Sequence, residues 1–147
     1  MQIRKMISND YSKVYHLWLH TSGMGLNTTD DSEAGINKYL HRNPNTCFVA
    51  VKDDEIIGAI LCGHDGRRGL IYHMAVKDCE RTQGIGTALL NKAMEALQKE
   101  GIKKVYVILY KNNEVGNAFW EKRGFAIPEG LLYRAKEIVP LEHMAIL

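Results

Sequence analysis

Residues 81–87, Arg-Thr-Gln-Gly-Ile-Gly-Thr, decide the fold, because they stand between a strand-like apolar run and a long amphipathic segment. Free N–H groups and the helix dipole attract phosphate to such a junction. Gly84 and Gly86 would let the main chain approach a pyrophosphate without a Cβ in the way. A glycine pair can also close a plain turn, so the loop alone leaves both interpretations open. A P-loop and a dinucleotide fingerprint are disfavoured, since no Gly-Lys-Ser/Thr follows and Ala88 replaces the third glycine one position early.

The segments on either side of the loop predict a strand, a helix and a second strand. From Gly84 to Glu100 the apolar residues recur at three- and four-residue steps, and Gly101 stands where a C-terminal cap belongs. Leu70 to Val76 and Lys103 to Tyr110 have the composition of strands. This order predicts a βαβ unit with two parallel strands.

The rest of the chain predicts mainly antiparallel strands and three further helices. Before the loop we expect a strand at 2–6, a helix that runs from a cap at 8–10 to near Gly23, and a second helix capped by 30–32. We also expect a hairpin in which strands 47–52 and 55–62 are joined at Asp53-Asp54. Expected after it are a helix at 117–123 and one or two strands from Phe125, with 144–147 a strand, an interface or a frayed end. The predicted fold class is α+β, with a mixed, mostly antiparallel sheet of six to seven strands and about four helices on both faces.

Composition restricts the classes of protein. The 147 residues suit a single domain, 1–147, and a net charge of +2 without a basic run gives no support for nucleic-acid binding. Cys47, Cys62 and Cys79 are odd in number and form no Cys-x-x-Cys pair, which argues against disulfides and a zinc cage. No leader-like or membrane-length apolar segment is present, so a cytoplasmic location without membrane insertion is expected.

The loop gains a specific meaning from its surroundings. Tyr72-His73-Met74-Ala75-Val76 followed by Arg81-x-x-Gly84-x-Gly86-Thr87-Ala88-Leu89-Leu90 resembles motif A of the Gcn5-related N-acetyltransferase (GNAT) superfamily. Residues 113–125, ending Trp-Glu-Lys-Arg-Gly-Phe, resemble its second motif, and the likeness covers about the whole chain. It implies the GNAT acyl-CoA N-acyltransferase fold, built on a central βαβ unit. The implied reaction is acetyl transfer from acetyl-CoA to a primary amine of a small molecule or polypeptide, by direct attack in a ternary complex.

The resemblance also implies roles for individual residues. The main chain of Met74, Ala75 and Val76 would bind the pantetheine arm, and the Met74 N–H would polarise the thioester carbonyl. The cofactor site would further include Arg81, Thr82, Gln83, Gly84, Ile85, Gly86, Thr87, Asn113 and, as a contact, Trp120. No metal is expected; His16 and His20 lack the glutamate of a His-Glu-x-x-His site.

One position departs from the family pattern. Trp120 stands where many members have a tyrosine that protonates the departing thiolate, and an indole cannot act as an acid. At pH 7, departure of a thiol of pKa ~8.5 as the unprotonated thiolate costs only about 2 kcal/mol. Deprotonation of an amine of pKa ~10.4 costs about 4.6 kcal/mol. A general base should therefore matter more. His73 is the first candidate and Tyr72 the second, with opposite faces of the strand expected for them, and a water relayed to Asp65 or Glu55 stays open.

Two functions without catalysis remain open at this level. A non-catalytic acyl-CoA binding or sensing module would explain Trp120, and a protein-interaction domain would bind no cofactor. The resemblance leaves a homodimer open. Residues 23–27 lie where family members vary the loop that shapes the acceptor pocket, and they could also form a plain linker. Asp30, Asp31 and Glu33 are interpreted as helix capping in preference to a site for a cationic amine.

Overall fold

The computed structural model describes residues 1–144, so the tail residues 145–147 lie outside the described part. The strands are β1 (Gln2–Lys5), β2 (Phe48–Lys52), β3 (Glu55–His64), β4 (Gly69–Val76) and β5 (Val105–Val107). The helices are α1 (Tyr11–Leu19), α2 (Glu33–Arg42), α3 (Ile85–Lys99) and α4 (Glu114–Lys122). Short 3-10 turns at Ser8–Asp10 and Asp78–Glu80 precede α1 and the glycine loop.

The five strands form one sheet in the order β1-β2-β3-β4-β5. Neighbours are antiparallel except β4 and β5, which are parallel and joined by α3, so the predicted βαβ unit is confirmed. β2 and β3 are joined through Asp53 and Asp54, whose φ angles of 51° and 59° produce the left-handed turn that tight hairpins favour. The predicted mixed, mostly antiparallel sheet is therefore confirmed.

Each face of the sheet has its own core. On one face α1 and α2 bury Trp18, Ile36 and the inward residues of β2 and β3. On the other face α3 and α4 bury Leu89, Trp120 and the alternate strand residues. Gly58 of β3 lets α3 approach closely, because a Cβ there would lie 3.1 Å from Leu89. Four helices on two faces agree with the prediction.

A β-bulge interrupts the pairing of β3 with β4. Leu61 pairs with His73, but Cys62 pairs with Ile71, so Tyr72 is an extra residue without a partner on β3. A bulge bends its strand and increases the local twist. The consequence is seen at β5, which pairs with β4 only from Gly69 to Ile71 and then separates from it.

Several sequence predictions need correction. The described residues contain five strands rather than six to seven, because no strand follows Phe125. Residues 126–140 are exposed, and Pro128, Pro140 and the left-handed Gly130 (φ 76°) interrupt the N–H pattern that a ladder needs. β5 covers only 105–107 of the predicted 103–110, since β4 bends away from it.

The boundaries of two helices also differ from the prediction. α4 begins at Glu114 rather than Asn117, because the Asn113 side chain caps it by accepting the Gly116 N–H at 2.9 Å. α1 ends at Leu19 rather than near Gly23, and the Thr21 hydroxyl donates to the Leu17 carbonyl at 2.7 Å. Among residues 1–144 there is no helix with the length and apolar character needed to span a membrane.

The C-terminal segment returns to the α1–α2 loop. His143 forms an antiparallel bridge with Asn27, the Thr28 N–H donates to the Glu142 carbonyl at 3.0 Å, and the Met144 N–H donates to the Leu26 carbonyl at 2.9 Å. Residues 126–142 therefore connect α4 to the opposite face of the sheet.

Candidate active site

A cleft opens where β5 separates from β4. The Lys77 N–H donates to the Ile57 carbonyl on β3 at 2.8 Å. Because peptide groups alternate in direction along a strand, those of Ala75 and His73 also face β3, whereas Met74 and Val76 point toward the gap left by β5. The Val76 carbonyl accepts from Arg81 Nε at 3.3 Å. The cleft is thus lined by main-chain groups that can pair with an amide-containing ligand.

The glycine loop lies at the open end of this cleft. Residues 81–84 are exposed, and α3 begins immediately after Gly84, which adopts a left-handed φ of 79°. A Cβ at Gly84 would meet no atom within 4 Å, so the space in front of the helix N-terminus is open. Thr82 is strained, with a φ of 67° that is unusual for a non-glycine residue. Main-chain N–H groups and the α3 dipole therefore converge on an accessible position.

α4 supplies the second wall of the loop. A Cβ at Gly86 would lie 3.2 Å from the Phe119 ring, so glycine permits this close approach. The Arg123 guanidinium lies 3.7 Å from the centre of that ring, and its Nε donates to the Thr87 hydroxyl at 2.9 Å. Sequence reasoning missed the contributions of Phe119 and Arg123, although both stand in the second motif.

Two other candidate cofactor residues, Trp120 and Asn113, have side chains that make contacts within the protein. Trp120 is buried, edge-on to Phe119 and Phe125 at 4.9 and 5.0 Å between ring centres. Asn113 uses its side-chain oxygen as the α4 cap, and its amide nitrogen would lie 3.2 Å from a Cβ at Gly23. Trp120 thus contributes packing, and Asn113 links α4 to the α1–α2 loop.

A buried hydrogen bond lies on the α1 face of β4. His73 Nε2 is 2.7 Å from Asp31 Oδ1, and both side chains are at most 8% exposed. The second carboxylate oxygen of Asp31 accepts the Asn27 N–H at 2.8 Å, while the Trp18 ring lies edge-on to the imidazole at 4.8 Å. The predicted cap at 30–32 is confirmed at Ser32, whose side chain accepts the Gly35 N–H at 3.0 Å, whereas Asp31 bonds to His73 and Asn27 instead of capping α2.

The bulge places the two candidate bases on one face. Tyr72 lies edge-on to Tyr39 of α2, 5.7 Å between ring centres, and His73 contacts α1, on the same face of the sheet. The expectation of opposite faces is therefore wrong, since the extra residue interrupts the alternation of side chains. Tyr72 is 52% exposed, and its pKa is raised by partial burial and by Asp30 and Tyr133 nearby.

The glycines of the α1–α2 loop permit close contact with residues after β5. A Cβ at Gly25 would lie only 3.0 Å from the Tyr110 hydroxyl, a contact tighter than side chains normally make. Together with the Gly23 contact to Asn113, this packing closes one side of the cleft. The loop therefore packs against the segment that connects β5 to α4, and its role as a wall of the acceptor pocket stays a prediction.

The remaining candidate groups lie away from the cleft. Asp65 accepts the Arg67 and Arg68 N–H groups in the β3–β4 turn, and these hydrogen bonds lower its pKa. Glu55 forms an ion pair with Lys77 beyond the far end of β4. His20 Nδ1 is 2.8 Å from the His16 carbonyl. Within residues 1–144 no three histidine, cysteine or acidic side chains are close enough to bind one metal ion.

The thiols are not arranged as nucleophiles. Burial raises the pKa of Cys47 and of Cys62 to about 12, and the Cys47 thiol donates to the Cys62 carbonyl at 3.1 Å. Such thiols remain protonated at neutral pH. Cys79 is exposed, in the 3-10 turn that precedes the glycine loop.

Solved structures share this architecture. The chain superimposes on Ard1 from Thermoplasma volcanium with a TM-score of 0.76 at 20% identity, covering 86% of this chain and 83% of that one. It also superimposes on the PaiA N-acetyltransferase from Thermoplasma acidophilum in complex with coenzyme A, with a TM-score of 0.76 at 18% identity and coverage of 97% and 96%. The splayed parallel strands and the glycine loop at α3 thus define the GNAT acyltransferase-like fold.

Sequence comparison supplies the family. The chain belongs to the acetyltransferase (GNAT) family, whose model matches residues 11–125. It is 27% identical over 139 residues to an acetyltransferase of Sodalis glossinidius (strain morsitans), covering 95% of this chain and 96% of the relative. It is 30% identical over 122 residues to an acetyltransferase of Pectobacterium atrosepticum, with coverage of 83% and 85%. The resemblance read from the two motifs is therefore confirmed.

Proposed function

We propose that residues 1–147 act as one cytoplasmic N-acetyltransferase domain that transfers an acetyl group from acetyl-CoA to a primary amine. The observation that carries this proposal is the cleft between β4 and β5, with the glycine loop at its mouth. The outward peptide groups of Met74 and Val76 and the N–H groups of the loop follow one another along a single path. That path suits a ligand with amide groups at one end and a pyrophosphate at the other.

Different residues of the chain would bind different parts of acetyl-CoA. N–H groups from Gln83 to Thr87 at the start of α3 would hold the pyrophosphate, and Arg81 would add positive charge at the loop. Ala75 would contribute to the strand that lines the arm. Phe119, with Arg123 stacked on it, would flank Gly86 and keep the loop in place. A related solved structure, the PaiA enzyme, is a complex with coenzyme A.

The Met74 N–H is the proposed polarising group for the thioester carbonyl. It points into the cleft at the level where β4 has just lost its contact with β5. A fixed donor at such a place stabilises negative charge that develops on oxygen during acyl transfer. The bulge at Tyr72 thus opens the cleft and leaves this donor unpaired by β5.

His73 is the proposed general base, with Asp31 as its positioning residue. Donation from Nε2 to the Asp31 carboxylate leaves Nδ1 without its proton and able to accept one. Nδ1 makes no hydrogen bond within the described residues, whereas Asp31 is fixed by the Asn27 N–H. A charged carboxylate behind the ring also stabilises the imidazolium that proton transfer forms.

Direct attack of the amine, without an acyl-enzyme, agrees with the state of the thiols. The raised pKa of Cys47 and Cys62 keeps both protonated and unreactive. A non-catalytic acyl-CoA sensor is less well supported, because Trp120 has a packing role and the relatives are named acetyltransferases.

Incubation with radiolabelled acetyl-CoA and a panel of primary amines tests the activity. We expect label to move to at least one amine, and intact-protein mass spectrometry without an acceptor should show no acetylated enzyme. Binding of coenzyme A without transfer to any amine would contradict catalysis and favour the sensor.

Gly84→Ala should weaken coenzyme A binding, because a methyl group would enter the space proposed for the pyrophosphate. Gly101→Ala is the matched control, since Gly101 closes the same helix with φ 80° and equally open surroundings. Both changes should cost about 1 kcal/mol of stability from backbone strain. Isothermal titration should show an affinity loss for Gly84→Ala alone, and equal affinities would argue against the loop as the phosphate site.

His73→Gln should lower kcat by about 10² to 10⁴ and remove the acidic limb of the pH–rate profile, because the base would be gone. Asp31→Asn should lower kcat less, by impairing the orientation of the ring. Tyr72→Phe is the comparison variant. Stopped assays over pH 6 to 10, with coenzyme A affinity as a folding check, would identify the base. Loss of the acidic limb in Tyr72→Phe rather than His73→Gln would reverse the assignment.

The C-terminal segment suggests a homodimer as the working assembly. Ile127, Leu132 and Ile138 are at least 86% exposed, and β5 is an edge strand of the sheet within the described residues. Apolar side chains and an open strand edge favour pairing with a second copy of the chain. Sedimentation over a dilution series should detect a dimer that Leu132→Asp weakens; a monomer at every concentration would contradict it.

A further inference from the structure

A second cavity, of about 340 Å³, lies on the α2 face at the beginning of β4. Tyr39 and Arg42 of α2, Arg68 of the β3–β4 turn, Tyr72 of β4 and Tyr106 of β5 contribute to its wall. Tyr72 also stands at the point where β5 leaves β4, so the cavity adjoins the cleft. A volume of this size accommodates a small molecule or the side chain of a larger one.

The cations of this cavity have no carboxylate partner. Neither Arg42 nor Arg68 forms an ion pair among residues 1–144, and the Arg68 guanidinium donates only to the Arg67 carbonyl, at 3.1 Å. Arginine side chains at the wall of a cavity are suited to bind carboxylates through paired N–H groups.

The negative groups near the cavity are already engaged. Asp65 accepts the Arg67 and Arg68 N–H groups at 2.8 and 2.9 Å, which fixes it in the turn. His64 accepts the Gly66 N–H through Nδ1, so its proton lies on Nε2, 3.1 Å from Glu100. Neither Asp65 nor Glu100 therefore forms an ion pair with Arg42 or Arg68 among the described residues.

A buried hydroxyl in the same wall also lacks a partner. The Tyr39 hydroxyl is inaccessible to solvent and makes no hydrogen bond within the described residues. Gly63 makes room for it, because a Cβ there would collide with the hydroxyl and with Asn43. Burial strongly raises the pKa of Tyr39, so the hydroxyl keeps its proton and can act as a donor. An unpaired buried donor is costly, so the inner wall of the cavity carries a polar group whose desolvation is not offset within the described residues.

We propose that this cavity binds a carboxylate of the acceptor, so that the substrate is an amine that carries a carboxylate several bonds away, as in an ω-amino acid or a peptide. The proposal rests on the acetyltransferase function, since it specifies which amine enters the cleft. Arg42 and Arg68 bind the carboxylate, and the rings of Tyr72 and Tyr106 pack against the connecting chain. Leu70 and Met74 are about 13 Å apart along β4 at ~3.3 Å per residue. The amine and the carboxylate must therefore be separated by several bonds.

Acetylation of ω-amino carboxylates of four to eight carbons, each compared with its carboxamide, tests the proposal. We expect kcat/KM to favour the carboxylate by about tenfold or more at the best length, because a charge-assisted hydrogen bond is worth at least that factor. Arg42→Gln and Arg68→Gln should each reduce the preference without changing coenzyme A affinity. Arg67→Gln is the matched control in the same turn and should preserve it.

Equal kcat/KM for acid and amide at every length, or a preference that survives both substitutions, would overturn the proposal. A second measurement separates it from the general function. Ligand-observed NMR should detect saturable binding of 6-aminohexanoate that Arg42→Gln and Arg68→Gln weaken and Arg67→Gln does not. If no amine is acetylated, the proposed function fails, but the binding measurement still tests whether the cavity binds a carboxylate. Absence of binding would exclude the carboxylate site.

Discussion

The site depends on one extra residue in β4. Because Tyr72 has no partner on β3, the strand bends, β5 loses contact after Ile71, and a cleft forms between two strands that would otherwise pair. The same irregularity leaves the Met74 peptide group unpaired by β5 and brings Tyr72 and His73 to one face. Main-chain donors and candidate bases therefore have a common geometric origin. A ligand with amide groups that occupies the gap would give hydrogen-bond partners to the peptide groups that β5 leaves unpaired.

The cleft has two walls with different chemistry. On the α3 side, glycines at 84 and 86 and the Phe119–Arg123 stack leave main-chain N–H groups accessible. On the α2 side, the Asp31–His73 contact ties the α1–α2 loop to β4. A rigid donor wall is consistent with a family that uses one acyl carrier, and an acceptor wall built from loops can change with the substrate.

The sequence predicts the donor side well and the acceptor side poorly. The glycine loop, α3 and the hairpin at Asp53-Asp54 are determined by local rules of backbone freedom and periodicity, so they are confirmed. The bulge depends on pairing between distant strands, and nothing in the composition of β4 indicates it. Asp31 stands where a helix cap is expected, but its carboxylate contacts His73, forty-two residues later in the chain. The strands expected after Phe125 rest on residue type alone, and no neighbouring strand pairs with this segment in the described residues.

The bridge between Asn27 and His143 joins two parts of the chain that are far apart in sequence, and this distance affects the order in which contacts form. The donor wall is built from segments that follow one another along the chain, β3, β4, α3, β5 and α4, whereas the acceptor wall joins residues near its two ends. Contacts between neighbours in sequence form sooner than contacts that close a long loop. The glycine loop and the cleft can therefore become ordered earlier in folding than the contact between Asn27 and His143, which has to close a much longer loop of chain.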